Sequence, residues 1–141
     1  MQEPARKMAD LNRFVSAVAE VLEVDTIGLG APFREVEGWC SLKGFGLLVL
    51  LENDWGAPLT VDRFLELETV RDLWREAFLS FAAGVLDVPR EMLCGSTRYE
   101  SIPQWDSVNH LRLVMEAEAR FGVSYPLERI PELKTLDDFI V

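Results

Sequence analysis

The sequence predicts an all-α chain of two small four-helix units in tandem, joined by a shared continuous helix, on three observations. The stretch from Phe33 to Leu73 returns as Tyr99 to Phe139 at a constant offset of 66, with Trp39, Ser41, Leu47, Glu52, Gly56, Arg63, Glu66, Leu67, Thr69 and Asp72 each matched by an identical residue. Self-similarity at a fixed offset marks a duplicated structural unit. Within each copy apolar residues recur three and four apart, the spacing of a helix with one buried face. Between Val70 and Ala83 there is no glycine or proline, so no linker separates the copies.

Each element has a local cause. Leu11, Phe14, Val15, Val18 and Leu22 carry a first helix, which Asp25-Thr26 with Gly28 and Gly30 ends. The loop from Asp25 to Trp39 is long, but Ile27, Leu29, Phe33 and Val36 can fasten it to the core. A second helix starts near Ser41 and stops at Gly56-Ala57-Pro58; a short helical turn follows around Asp62 to Leu65. Thr69 is a good N-cap for the next helix. That helix should run unbroken from about Thr69 to Leu86, about 27 Å, as last helix of the first unit and first of the second.

The second copy repeats the order: a loop punctuated by Pro89, Gly95 and Pro103, a helix from Ser107 to Phe121, a short piece near Leu127 to Ile130, and a last helix after Thr135. The domains are therefore read as 1–78 and 79–141.

Charge and composition exclude several function classes. With a net charge of -10 and both halves acidic, nucleic acid and anionic membrane surfaces are repelled, and basic protein surfaces are the natural partners. The polar start, Met1 to Asp10, is no signal peptide, and the longest apolar run, Phe45 to Leu51, is too short to span a bilayer. The expectation is a cytoplasmic protein without membrane insertion. Cys40, Cys94 and the lone His110 form no metal-ligand spacing and no disulfide framework, so no metal is expected.

Ser107 is the residue of most chemical interest. A serine in the first turn of a helix lies beside unpaired backbone N–H groups and the positive end of the helix dipole, where a phosphate is stabilised. Asp106 can cap the same helix, while Val108, Leu111, Val114, Met115 and Phe121 are expected to form its inward face. No GxSxG elbow surrounds Ser107. His110, three residues on, has no third residue to orient it, so no catalytic residue is assigned and the chain is read as a non-enzyme.

The Asp106-Ser107-Val108 triplet opening a helix, the run Leu113-Val114-Met115 followed by Glu116, Glu118 and Phe121, and the ending Thr135-Leu136 with Asp138-Phe139-Ile140 together resemble the acyl carrier protein family. The likeness covers about Leu79 to Val141 and extends faintly over the first copy. It implies a four-helix bundle with a long first loop, and a 4'-phosphopantetheine arm moved from coenzyme A onto Ser107 by a phosphopantetheinyl transferase, with Asp106 part of the recognised motif. It implies acyl groups carried as thioesters between loading and transferring enzymes of a lipid, fatty acid, polyketide or related biosynthetic pathway. Glu116 and Glu118, with Asp106, would dock basic partner surfaces. Arg112 and His110 depart from the more acidic pattern of fatty-acid carriers and point to another partner set.

In the first copy Ser41 is the equivalent attachment position. There Cys40 replaces the aspartate, and Lys43, Gly44 and Gly46 replace a helix-forming start, each glycine costing about 1 kcal/mol of helix propensity. This copy is read as a degenerate carrier domain that lost its arm, with a second attachment at Ser41, both serines being modified, as the variant of that reading. Its second helix, apolar nearly all round at Leu47 to Leu51, is expected to be buried on more than one side, and Cys40 to be a small, partly buried, inert thiol rather than an acyl acceptor or an interchain disulfide. Trp39 and Trp105 are read as loop anchors. The alternative function is a carrier fold reused as an interaction or scaffold protein without a prosthetic group.

Overall fold

Five α-helices order the chain in a computed structural model that describes residues 2–121 and 124–140, residues 2–10 by their backbone. They are α1 (Gln2–Leu22), α2 (Ser41–Trp55), α3 (Val61–Leu65), α4 (Val70–Leu86) and α5 (Ser107–Phe121), with 3-10 turns at Phe33–Glu35, Arg90–Met92, Leu127–Glu132 and Leu136–Asp138. Among the described residues there is no strand, so the all-α class holds. Two compact units divide the chain, Asn12–Ala77 and Phe78–Val141 with Met1–Leu11. The change falls inside α4, which runs on without a break.

In the unit Asn12–Ala77 three aromatics make the centre. Phe14, Trp55 and Trp74 lie with ring centroids 5.0 to 5.4 Å apart and are all buried. Gly56, at φ 64, lets α2 stop there, and the Ala57 N–H returns to the Leu51 carbonyl at 2.9 Å. A left-handed residue just past a helix is the usual place for glycine. Arg34 braces the long loop by donating to the carbonyls of Leu67 and Phe64 at 2.6 and 2.7 Å. Arg63 of α3 donates to the buried Glu76 of α4 at 3.2 and 3.3 Å.

The two weak helix formers in α2 have a packing reason. A Cβ on Gly46 would meet the Val21 side chain at 2.9 Å, and one on Gly44 the Trp39 ring at 3.2 Å. Both positions admit only a hydrogen atom without displacement of a neighbour.

In the unit that begins at Phe78, Phe121 and Phe139 pack on the Phe78 ring at 5.7 and 5.8 Å, and Trp105, Leu113, Leu133 and Leu136 are fully buried. The Tyr125 hydroxyl donates to the Phe139 carbonyl at 2.9 Å. Burial, with Glu118 close by, pushes that phenol far above its ordinary range.

Duplication is visible bond by bond. Isolated bridges pair Pro32 with Thr69 and Arg98 with Thr135, and the N–H groups of Phe33 and Tyr99 donate to the carbonyls of Glu68 and Lys134. Asp72 accepts from the Thr69 N–H while Thr69 Oγ1 accepts from the Asp72 N–H, and Asp138 with Thr135 does the same. These are capping boxes in register. The first helices repeat too, at an offset of 64: Phe14, Ala19, Leu22 and Val24 match Phe78, Ala83, Leu86 and Val88. Glu23 and Asp87 end them alike, at φ 60 and 59.

Four expectations need correction. After Thr135 there is no α-helix but the three-residue turn Leu136–Asp138, because the Phe139 and Ile140 N–H groups bond three residues back rather than four. The α2 helix is not buried all round: Leu47, Leu50 and Leu51 are buried, but Leu42, Phe45 and Val49 are exposed. Cys40 is exposed rather than partly buried; its backbone is extended, at the cap position of α2. Val108, Leu111 and Met115 do not face inward; they are 68%, 51% and 67% exposed. Apolar residues cover more than half the circumference of α5, so periodicity alone does not say which half is buried. His110, Leu113, Val114, Ala117 and Phe121 are the buried face. Met1, Gly122, Val123 and Val141, which the sequence reading included, lie outside the described residues.

Candidate functional site

Ser107 is the first residue of α5 and is exposed. Asp106 precedes it as the cap: its carboxylate accepts from the Asn109 N–H at 2.9 Å and its carbonyl from the His110 N–H at 2.8 Å. The serine hydroxyl thus stands in solvent at the positive end of a fifteen-residue helix. Asn109 ties the helix start to the loop by donating from Nδ2 to the Gln104 carbonyl at 2.7 Å.

Underneath, Trp105 and His110 hold the turn. The indole N–H of Trp105 donates to His110 Nδ1 at 3.1 Å. An indole nitrogen can only donate, so Nδ1 is the acceptor and the proton sits on Nε2, which donates to the Ile130 carbonyl at 3.1 Å. Tyr99 and Phe139 pack on the imidazole at 4.8 and 5.9 Å. With both ring nitrogens engaged inside the core, His110 is no base for Ser107 and forms no part of a partner-facing surface. The Tyr99 phenol is pushed up by burial first, then by the carboxylates of Glu100 and Asp106.

The acidic residues of α5 are engaged within the chain. Glu116 pairs with Arg112 at 3.4 Å, and both are half exposed. Glu118 accepts from the Tyr125 backbone N–H at 2.8 Å and is only partly exposed. The surface running from Ser107 along α5 therefore presents Val108, Leu111 and Met115, with Asp106 and the Arg112–Glu116 pair beside them. Sequence reasoning missed this stripe. The repeat shows only that the two stripes correspond: Leu42, Phe45 and Val49 stand at the equivalent positions of α2 and are exposed as well.

Ser41 occupies the equivalent place at the start of α2 and is also exposed. Its preceding residue, Cys40, makes no side-chain cap bond. Trp39 packs on Phe33 at 5.8 Å and on Gly44, and is half buried where Trp105 is fully buried. Two clefts flank this helix start. One of about 530 Å3 lies toward Phe64 and Leu65, and one of about 520 Å3 lies toward Val21 and Val49.

Among the described residues no group of three or more histidine, cysteine or acidic side chains is placed to hold a metal ion, and no helix is long and apolar enough to cross a membrane. Cys94 is exposed, and its thiol is drawn below the ordinary range by the Ser96 hydroxyl first and then by that of Thr97, at 3.1 and 3.6 Å. Compared with known protein families, with curated proteins and with solved structures, the chain matches none.

Proposed function

We propose that the chain is an acyl carrier protein of two carrier-like four-helix bundles sharing α4, with a 4'-phosphopantetheine arm on Ser107 of the second. The observation that carries this reading is the exposed Ser107 hydroxyl in the first turn of α5 behind the Asp106 cap. A phosphodiester at that oxygen gains from the helix dipole and needs no room in the core. The arm supplies a terminal thiol on which acyl groups ride as thioesters. Asp106 and the Trp105–His110–Ile130 chain of hydrogen bonds fix the turn that a phosphopantetheinyl transferase must grip.

The protein is a shuttle and not a catalyst. Its partners are the transferase and the acyl-loading and acyl-transferring enzymes of a biosynthetic pathway, met in the cytoplasm. They dock through Val108, Leu111 and Met115, with basic residues set against Asp106 and Glu116 to speed association. The cargo's chemistry belongs to those enzymes. In the first copy Ser41 lacks a carboxylate cap and carries no arm.

A scaffold without prosthetic group is the second reading, and the exposed Leu42, Phe45 and Val49 favour it for the first copy. Peptide mass spectrometry of the protein isolated from its native cells separates the two. Phosphopantetheine on the peptide containing Ser107 supports the carrier. A bare serine in cells whose other carriers are modified leaves the scaffold.

A further inference from the structure

We propose that His110 is a positioning residue for arm attachment at Ser107 that works only in its uncharged form, so that acid holds attachment back. This rests on the carrier reading of Ser107 and adds a regulation of the same site.

The geometry admits one protonation state. His110 Nδ1 accepts from the Trp105 indole N–H at 3.1 Å, and Nε2 donates to the Ile130 carbonyl at 3.1 Å. A charged imidazole donates from both nitrogens. Nε2 would keep its partner, but at Nδ1 two N–H groups would point at each other. With Trp105 fully buried and His110 nearly so, relief requires one ring to move.

Movement of either ring reaches Ser107. The Trp105 backbone carries the preceding loop: its carbonyl accepts from the Glu100 N–H and its N–H donates to the Ile102 carbonyl, both at 3.1 Å. The His110 N–H closes the first turn of α5 on the Asp106 carbonyl at 2.8 Å. Ser107 lies between these two anchors, so the helix start that presents its hydroxyl shifts when the indole and the imidazole part.

The groups around the ring do not change charge in the same range. From the loop, the Tyr99 phenol faces the imidazole at 4.8 Å between ring centroids, and burial, with Glu100 and Asp106, keeps it uncharged to still higher pH. On α5 itself Arg112 and Glu116 pair with each other, half exposed. The turn that supplies the Ile130 carbonyl carries Glu128 and the Arg129–Glu132 pair. Lys134, Asp137 and Asp138 precede Phe139, which packs on the ring from the last turn. Side chains of these types ordinarily titrate below about pH 5 or above about pH 9. His110 is the one histidine of the chain, and histidine ordinarily changes charge between about pH 5 and about pH 8. The first copy has Gly44 at the equivalent position, so Trp39 is a reference without the histidine.

The test compares the native chain with His110→Asn, whose side-chain carbonyl can accept from the indole and does not titrate. Arm attachment by a phosphopantetheinyl transferase with coenzyme A is followed by mass spectrometry from about pH 7.5 to about pH 5.5. Taking the ratio of the two chains removes the transferase's own response to acid. Over that range KM for the native chain should rise about fivefold to tenfold relative to His110→Asn, with kcat little changed, because only the uncharged fraction is competent. In the native chain alone, nitrogen NMR should show the Trp105 indole signal moving with the midpoint of the His110 ring while the Trp39 signal stays. That titration needs no variant and decides the matter if His110→Asn does not fold. The inference is overturned if both chains take the arm with one pH profile, if the Trp105 signal does not follow the imidazole or moves together with that of Trp39, or if the imidazole stays uncharged until the chain unfolds in acid. An arm that attaches at no pH overturns the carrier reading as well, whereas attachment with equal profiles overturns the role of His110 alone.

Discussion

Trp105 and His110 are joined side chain to side chain, indole N–H to Nδ1 at 3.1 Å, across the helix start that presents Ser107. The bond converts the one histidine of the chain from a candidate surface or catalytic residue into a beam between α5 and the Ile130 carbonyl. His110→Phe leaves the Trp105 N–H and the Ile130 carbonyl without these bonds, and a buried polar group so stranded costs about 1–3 kcal/mol. Urea unfolding should register that loss. In the native protein, nitrogen NMR should find the His110 proton on Nε2.

The caps of α2 and α5 give a reciprocal pair of tests. Asp106→Ala should cost about 1 kcal/mol, the usual worth of an N-cap. Cys40→Asp should add a cap that the first copy lacks and stabilise it by a similar amount. Denaturant midpoints of the two variants should move in opposite directions.

Acid should loosen the chain through the paired capping boxes. Burial pushes the carboxyls of Asp72 and Asp138 up, but the backbone N–H groups they accept, with the Thr69 or Thr135 hydroxyl and a nearby arginine, outweigh it and hold both below the usual range. A carboxyl whose folded value is depressed contributes stability that is complete above its unfolded value, near pH 4. That contribution is lost as pH falls through the lower folded value. Between about pH 5 and about pH 2, Asp72→Asn and Asp138→Asn should flatten the decline in urea midpoint and lower the plateau at neutral pH.

Cys94 should react readily with iodoacetamide at mildly alkaline pH, since hydroxyl bonds from Ser96 and Thr97 favour its thiolate. Ser96→Ala should slow that reaction at Cys94 without changing the rate at Cys40. Rates followed by mass spectrometry across pH would show the apparent midpoint rising in the variant.

Most of the helices could be read from residues that act locally. Thr69 caps α4, Gly56 stops α2, and the unbroken pattern from Val70 to Ala83 marks a single helix; none of these depends on the rest of the fold. The repeat from Phe33 was legible because its offset is constant, whereas a first loop two residues longer in the second copy hid the match of Phe14 to Phe78 and Leu22 to Leu86. The faces of α2 and α5 were not legible. Each has more apolar residues than one buried face requires, and tertiary contacts decide the choice: the His110 hydrogen bonds in α5, and the approach of Val21 to Gly46 in α2. The position and cap of Ser107 could be read directly.

Attachment of the arm at Ser107 adds a fixed mass to the chain, which intact mass spectrometry reads. The native chain, Ser107→Ala and Ser41→Ala are each incubated with coenzyme A and a broad-specificity phosphopantetheinyl transferase. One added arm is expected, lost in Ser107→Ala and kept in Ser41→Ala. An arm that survives in Ser107→Ala, or no arm on the native chain under conditions that modify a control carrier, would contradict attachment at Ser107.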